Sequence, residues 1–191
     1  MDTRTLIIIV AVVAVAIVVA AVIIARQRKS QHLKQQFGPE YDRAVQQHGD
    51  ARRAEAVLIS REKRVEMFAL RPLTPIDRER FAEEWAAIQR RFVDDPSMAV
   101  TQADKLVTTV MGARGYPMSD FEQRAADISV NYPAVVQNYR SAREITVRHN
   151  QGTSSTEDLR QAMVYFRSLF DELLGTPKSQ SVGAPHERLA S

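Results

Sequence analysis

The 191-residue chain has no cysteine, so disulfide frameworks, thiolate nucleophiles and Cys-ligated zinc are excluded as its organising chemistry. Histidine is scarce too: His32, His48, His149 and His186 lie far apart and form no metal-ligand spacing. The sequence contains no G-x-S-x-G elbow, no phosphate-binding loop and no dinucleotide glycine pattern. No stretch alternates apolar and polar residues in the manner of a half-buried strand, and no long repeat occurs. The residues therefore nominate no catalytic, cofactor-binding or metal-binding position.

What the chain has in excess is one apolar run. Of the twenty residues from Leu6 to Ala25, fourteen are Val, Ile or Leu and six are Ala. At 1.5 Å rise per residue such a helix is about 30 Å long, the thickness of a bilayer's hydrocarbon core. Insertion is favoured by roughly 4 to 8 kcal/mol, summed over the Val, Ile and Leu positions. A cleaved signal peptide would have a shorter apolar stretch, and here Arg26-Gln27-Arg28-Lys29 follows directly. A core helix of a globular protein would not be apolar on every face. The expectation is a transmembrane helix over 6–25, with a short flank over 1–5 and a basic juxtamembrane segment over 26–37.

Charge supports that division. Residues 1–37 carry net +4, residues 176–191 net +1, and residues 38–175 net −2. The basic character belongs to the membrane flank and not to a nucleic-acid-binding surface, so no nucleic-acid partner is expected. Arg26, Arg28, Lys29 and Lys34 follow the run, whereas Asp2 and Arg4 precede it. By the positive-inside rule the part after the run faces the cytoplasm, with the extracytoplasmic side as the alternative. The same four cations suit anionic lipid headgroups. Ala16-x-x-x-Ala20 and Ala21-x-x-x-Ala25 permit close approach of a second copy, a hint of weak self-association.

Beyond the flank the pattern is helical. Gly38-Pro39 opens a short helix to about His48, and Asp50 caps another to about Leu70, with Ala54, Leu58, Val65 and Phe68 on one face. Thr74-Pro75 starts a helix with the stripe Phe81, Trp85, Ile88 and Phe92. Asp95-Pro96 starts the next, burying Val100, Ala103, Leu106, Val107 and Val110. A capping box at Ser119-x-x-Glu122 leads into Phe121, Ala125 and Ile128. Val135, Val136, Tyr139, Ala142 and Ile145 define another helix, and Leu159, Met163, Phe166, Leu169, Phe170 and Leu173 the last, closed by Gly175. The fold class expected is all-α: a soluble domain over 38–175, an irregular antiparallel bundle of about five helices, followed by a disordered tail over 176–191.

At Phe92-Val-Asp-Asp-Pro96, Arg114-Gly-Tyr-Pro117, Arg124-Ala-Ala-Asp-Ile-Ser129 and Thr156-Glu-Asp-Leu-Arg-Gln-Ala-Met163 the chain resembles an uncharacterised bacterial family of single-pass membrane or secreted proteins. The resemblance spans roughly 37–174. It implies a bacterial source, hence the inner membrane, and a C-terminal all-helical domain, and it carries no activity or cofactor.

The remaining polar features read as scaffold. Glu83-Glu84 is a solvated face, because neighbouring helical side chains point about 100° apart and cannot chelate as a unit. Asp94-Asp95 is a helix stop and cap. Residues 38–175 hold 17 Arg against Lys63 and Lys105, a surface that can recruit an acidic partner through bidentate contacts. Trp85, Tyr116, Tyr132 and Tyr139 read as core before they read as a pocket lining. The leading functional expectation is a membrane-anchored helical interaction module with a protein partner. The alternative is a tethered ligand-binding or enzymatic domain built from non-contiguous Arg, Tyr and Asp side chains.

Overall fold

A computed structural model describes the backbone of residues 3–175 and the side chains of 12–175. Among these residues there are eight α-helices and no strands: α1 Thr3–Phe37, α2 Pro39–His48, α3 Ala51–Glu66, α4 Pro75–Arg91, α5 Pro96–Ala113, α6 Phe121–Asn131, α7 Val136–Asn150 and α8 Thr156–Leu174. The all-helical class follows from the sequence. The expected tail over 176–191 lies outside the described residues, as do the side chains of 6–11 in the apolar run.

The chain divides into two compact units, a first up to Lys63 and a second from Arg64, so the division falls within the last turn of α3. In the first unit the apolar run and the basic segment are not separate elements. α1 is one continuous helix of 35 residues, about 52 Å long. Its last turns bury Leu33 and Phe37, which share a face at i and i+4. Gly38, at φ 48°, terminates it by donating its N–H to the Lys34 carbonyl at 2.9 Å, and Pro39 starts α2. A side chain with a Cβ would be strained at that φ, and proline cannot extend the ladder behind it. Tyr41 and Ala44 of α2 and Ala54 and Leu58 of α3 are buried as well. The Tyr41 hydroxyl donates to Glu55 at 3.0 Å, and Arg61 meets the buried Glu40 at 3.4 Å, tying α3 to α2.

In the second unit, α4–α8 form a five-helix arrangement around one apolar core. Neighbouring pairs are α4 with α5, α5 with α7 and α8, α6 with α7, and α7 with α8. The predicted stripes supply that core: Phe81 and Trp85 from α4, Val100 to Val110 from α5, Ala125 and Ile128 from α6, Tyr139 and Ala142 from α7, and Phe166 to Leu173 from α8. Trp85 stacks on Phe170 at 4.6 Å between centroids, joining α4 to α8. Thr74 and Asp95 cap α4 and α5 as expected, through the N–H groups of Asp77 and Met98.

Two local expectations are corrected. The cap of α6 is Asp120, which accepts from the Gln123 N–H, and not Ser119, because the helix starts one residue later than the Ser-x-x-Glu pattern suggests. A full capping box instead opens α8, between Ser155 and Asp158. All seven helices read after the apolar run are present, but only α4–α8 make up the bundle of five, because α2 and most of α3 group with α1. α3 stops at Glu66, short of Leu70, because the chain must reach Pro72 in an extended form.

The connector after α3 is clamped to the loop after α5. The Arg71 N–H donates to the Arg114 carbonyl at 3.0 Å, and Arg71 Nε donates to the Ala113 carbonyl at 3.0 Å. Gly115 allows that approach: its φ is +94°, and a Cβ there would sit 2.5 Å from the Ala69 carbonyl oxygen. Gly115→Ala is therefore expected to destabilise the second unit by about 2 kcal/mol or more, combining left-handed strain with a backbone clash. Chemical denaturation of the variant, read as a shift in midpoint, measures it.

Candidate functional site

The cations expected at the membrane flank separate when the helix is built. Successive α1 residues Arg26, Lys29 and Ser30 fall on one side, the same side that continues into Leu33 and Phe37, whereas Arg28 is rotated away. Lys34 is occupied elsewhere, its ammonium 5.3 Å from the centroid of the Tyr41 ring. Facing Arg26 and Lys29 across a cleft is the start of α3. Arg26, Gln27, Lys29 and Ser30 form one wall and Arg52, Glu55, Ala56 and Ile59 the other, enclosing about 480 Å³. That volume lies in the ordinary range for small-molecule clefts.

Three cations and one carboxylate line this cleft. The carboxylate, Glu55, already accepts the Tyr41 hydroxyl, and Ser30 Oγ lies 3.4 Å from the same phenol oxygen. Among the described residues, Arg26, Lys29 and Arg52 make no ion pair. The start of α3 is electrostatically unusual: its first turn holds no acidic residue but two arginines, Arg52 and Arg53, at the positive end of the helix dipole. Asp50 relieves this in part by accepting the Arg52 N–H at 3.0 Å. Sequence reading found Arg26 and Lys29 from their nearness to the apolar run. It missed Arg52, whose only local signal is a cation where helices ordinarily carry an acid.

The second unit holds a different cluster. Asp104 of α5 faces Arg143 of α7 at 3.6 Å, with Arg124 of α6 and Tyr139 of α7 nearby. Burial pushes the Asp104 carboxyl up, and the guanidiniums of Arg143 and Arg124 only partly offset it. The Tyr139 hydroxyl is buried without a well-formed hydrogen bond. Arg124 and Thr108 act on it from short range, yet burial dominates and raises its pKa. The cluster unites Arg, Tyr and Asp from three helices, the residue types expected of a non-contiguous site. Phe121 and Phe166 pack on the Tyr139 ring at 4.8 and 6.3 Å, and Arg143 lies over Phe121 at 5.5 Å, so the group is wedged into the packing.

Of the other sequence candidates, Tyr116 and Tyr132 come near each other beside Arg114, and the rest stay apart. Trp85, Tyr116 and Tyr139 belong to the one apolar core, and Tyr132 packs against it under Arg114 at 5.8 Å. Glu84 pairs with Arg80 at 3.6 Å on an exposed face, and Asp95 is the α5 cap. His149 Nδ1 lies 3.0 Å from Ser154 Oγ, His32 and His48 are exposed, and His186 lies outside the described residues. Among the described residues no group of three potential ligands could hold a metal ion.

Two titrations test these environments. Because the fold raises the Asp104 pKa above 3.8, it penalises the ionised form. The penalty is absent below the unfolded value and fully present above the folded one. Asp104→Asn should therefore be at least as stable as the parent at neutral pH, its advantage fading as pH falls through the carboxylate range, measured by thermal midpoints across pH. Tyr116 is pushed up to about 12 by burial, although Asn131 donates to its oxygen at 2.7 Å. The folded state thus favours the neutral phenol, and stability should fall by about 2–3 kcal/mol between the ordinary value of 10 and that value. Ultraviolet titration of tyrosinate should show Tyr116 ionising late, and Tyr116→Phe should reduce the alkaline loss, leaving the part due to Tyr132 and Tyr139, which burial also pushes up. No family model, no curated protein and no solved structure matches this chain.

Proposed function

We propose that the chain is a single-pass membrane protein whose helix over 6–25 tethers two helical units to the bilayer, where they act as a cytoplasmic protein-interaction module. One observation carries this reading. Nine large apolar side chains between Val12 and Ile24 are 46–64% exposed, on every face of α1. Water is a poor solvent for such a surface, and lipid is a good one: at −0.3 to −0.6 kcal/mol per side chain these nine alone favour insertion by roughly 3 to 5 kcal/mol.

Among the described residues no helix is long and apolar enough to cross a membrane. The stretch with described side chains, Val12 to Ala25, spans only about 21 Å before Arg26, short of the roughly 30 Å of a hydrocarbon core. The span is completed by Leu6 to Ala11, which are entirely apolar in sequence. The exposed cations after Ala25 favour the cytoplasmic side, and the arginine-rich surface of the second unit suits an acidic protein partner.

Full-length protein expressed in bacteria should stay with membranes through an alkaline carbonate wash, and a C-terminal fusion to a reporter active only in the cytoplasm should give signal. Release by carbonate would refute the tether. Signal only from a periplasm-dependent reporter would reverse the orientation.

A further inference from the structure

The cleft between α1 and α3 has more cation than its own carboxylate can use. Arg26 and Lys29 from one helix and Arg52 from the other line it with Glu55, and that carboxylate is engaged by Tyr41. Arg52 also stands in the first turn of α3, where the helix's partial positive charge repels it and attracts an anion. An anion bound in the cleft meets three cations together, while Asp50 already occupies the Arg52 N–H at the helix start. Ala56 and Ile59 complete the α3 wall beyond Glu55.

We infer that this cleft is a binding site for the phosphodiester headgroup of an anionic phospholipid. The inference rests on the membrane reading above, since Arg26 directly follows the last residue of the apolar run and so lies at headgroup depth. Arg26 and Arg52 present forked N–H donors to the phosphate oxygens, and Lys29 adds a point charge. Free phosphate shares the charge but has no acyl chains in the bilayer to hold it at this depth. A neutral zwitterionic lipid brings its own ammonium toward the same three cations and is disfavoured.

The test uses the full chain in neutral detergent micelles, with hydrogen exchange of the α3 amides as readout. Added phosphatidylglycerol should slow exchange over residues 51–60 several-fold, and phosphatidylcholine or inorganic phosphate should not. Arg52→Gln, at an exposed position, should abolish the slowing. Arg53→Gln removes the same charge from the same turn but outside the cleft lining, and should retain it. Equal slowing by inorganic phosphate, equal slowing in Arg52→Gln, or none with phosphatidylglycerol would each overturn the assignment; the last would leave an acidic protein segment as the occupant to test. Because micelle measurements do not depend on carbonate resistance, protection without membrane retention sinks the tether alone, and retention without protection sinks the headgroup site alone.

Discussion

The continuity of α1 is the constraint on which the first unit depends. A helix that buries Leu33 and Phe37 at one end and exposes valines and isoleucines at the other carries two contrasting surfaces along one rod. The backbone hydrogen bonds run through the change without interruption, so whatever environment holds the apolar part also fixes the azimuth of the basic turn that follows. That azimuth puts Arg26, Lys29 and Ser30 on the cleft side and leaves Arg28 outside. A flexible linker after Ala25 would leave all four flanking cations equivalent. A rigid helix selects among them.

The second unit obeys a simpler rule, the burial of helical stripes, but it admits charge in a few places. Asp127 is almost fully buried and is held by Arg64 at 3.0 Å and Gln123 at 2.8 Å. Arg140, also buried, reaches Glu122 at 2.8 Å. Such pairs add little net stability, because desolvation offsets most of the attraction, yet losing one partner is costly. Their effect is to specify which helix faces fit together. Asp104 with Arg124, Arg143 and Tyr139 differs, because burial outweighs the pairing at that carboxylate and three helices meet over groups whose hydrogen bonding is incomplete.

Much of the fold is legible in the sequence because the information is local. The stripes Phe81-Trp85-Ile88 and Leu159-Met163-Phe166-Phe170 repeat at helical spacing, and Thr74 and Asp95 stand where a first turn needs an acceptor. The misplaced cap at Ser119 shows the limit of that reading: Ser119 and Asp120 are both good caps, and only the path of the chain entering α6 chooses between them. The end of α1 was harder to see. Leu33 and Phe37 are two apolar residues in a polar, basic stretch, too few for a periodic signal, and their burial depends on partners supplied by the rest of the chain.

The sequence alone determined that the chain is helical, where most helices begin and bury themselves, that one segment is apolar on every side, and that no metal or nucleophile pattern is present. Those properties follow from residue type and spacing of 3 or 4, which act over a single turn or two. Tertiary structure alone decided that Arg52 faces Arg26 and Lys29, that Glu55 is taken by Tyr41, and that Asp104, Arg124 and Tyr139 meet. These juxtapositions join residues on different helices, and no local periodicity encodes the angle at which one helix packs on another.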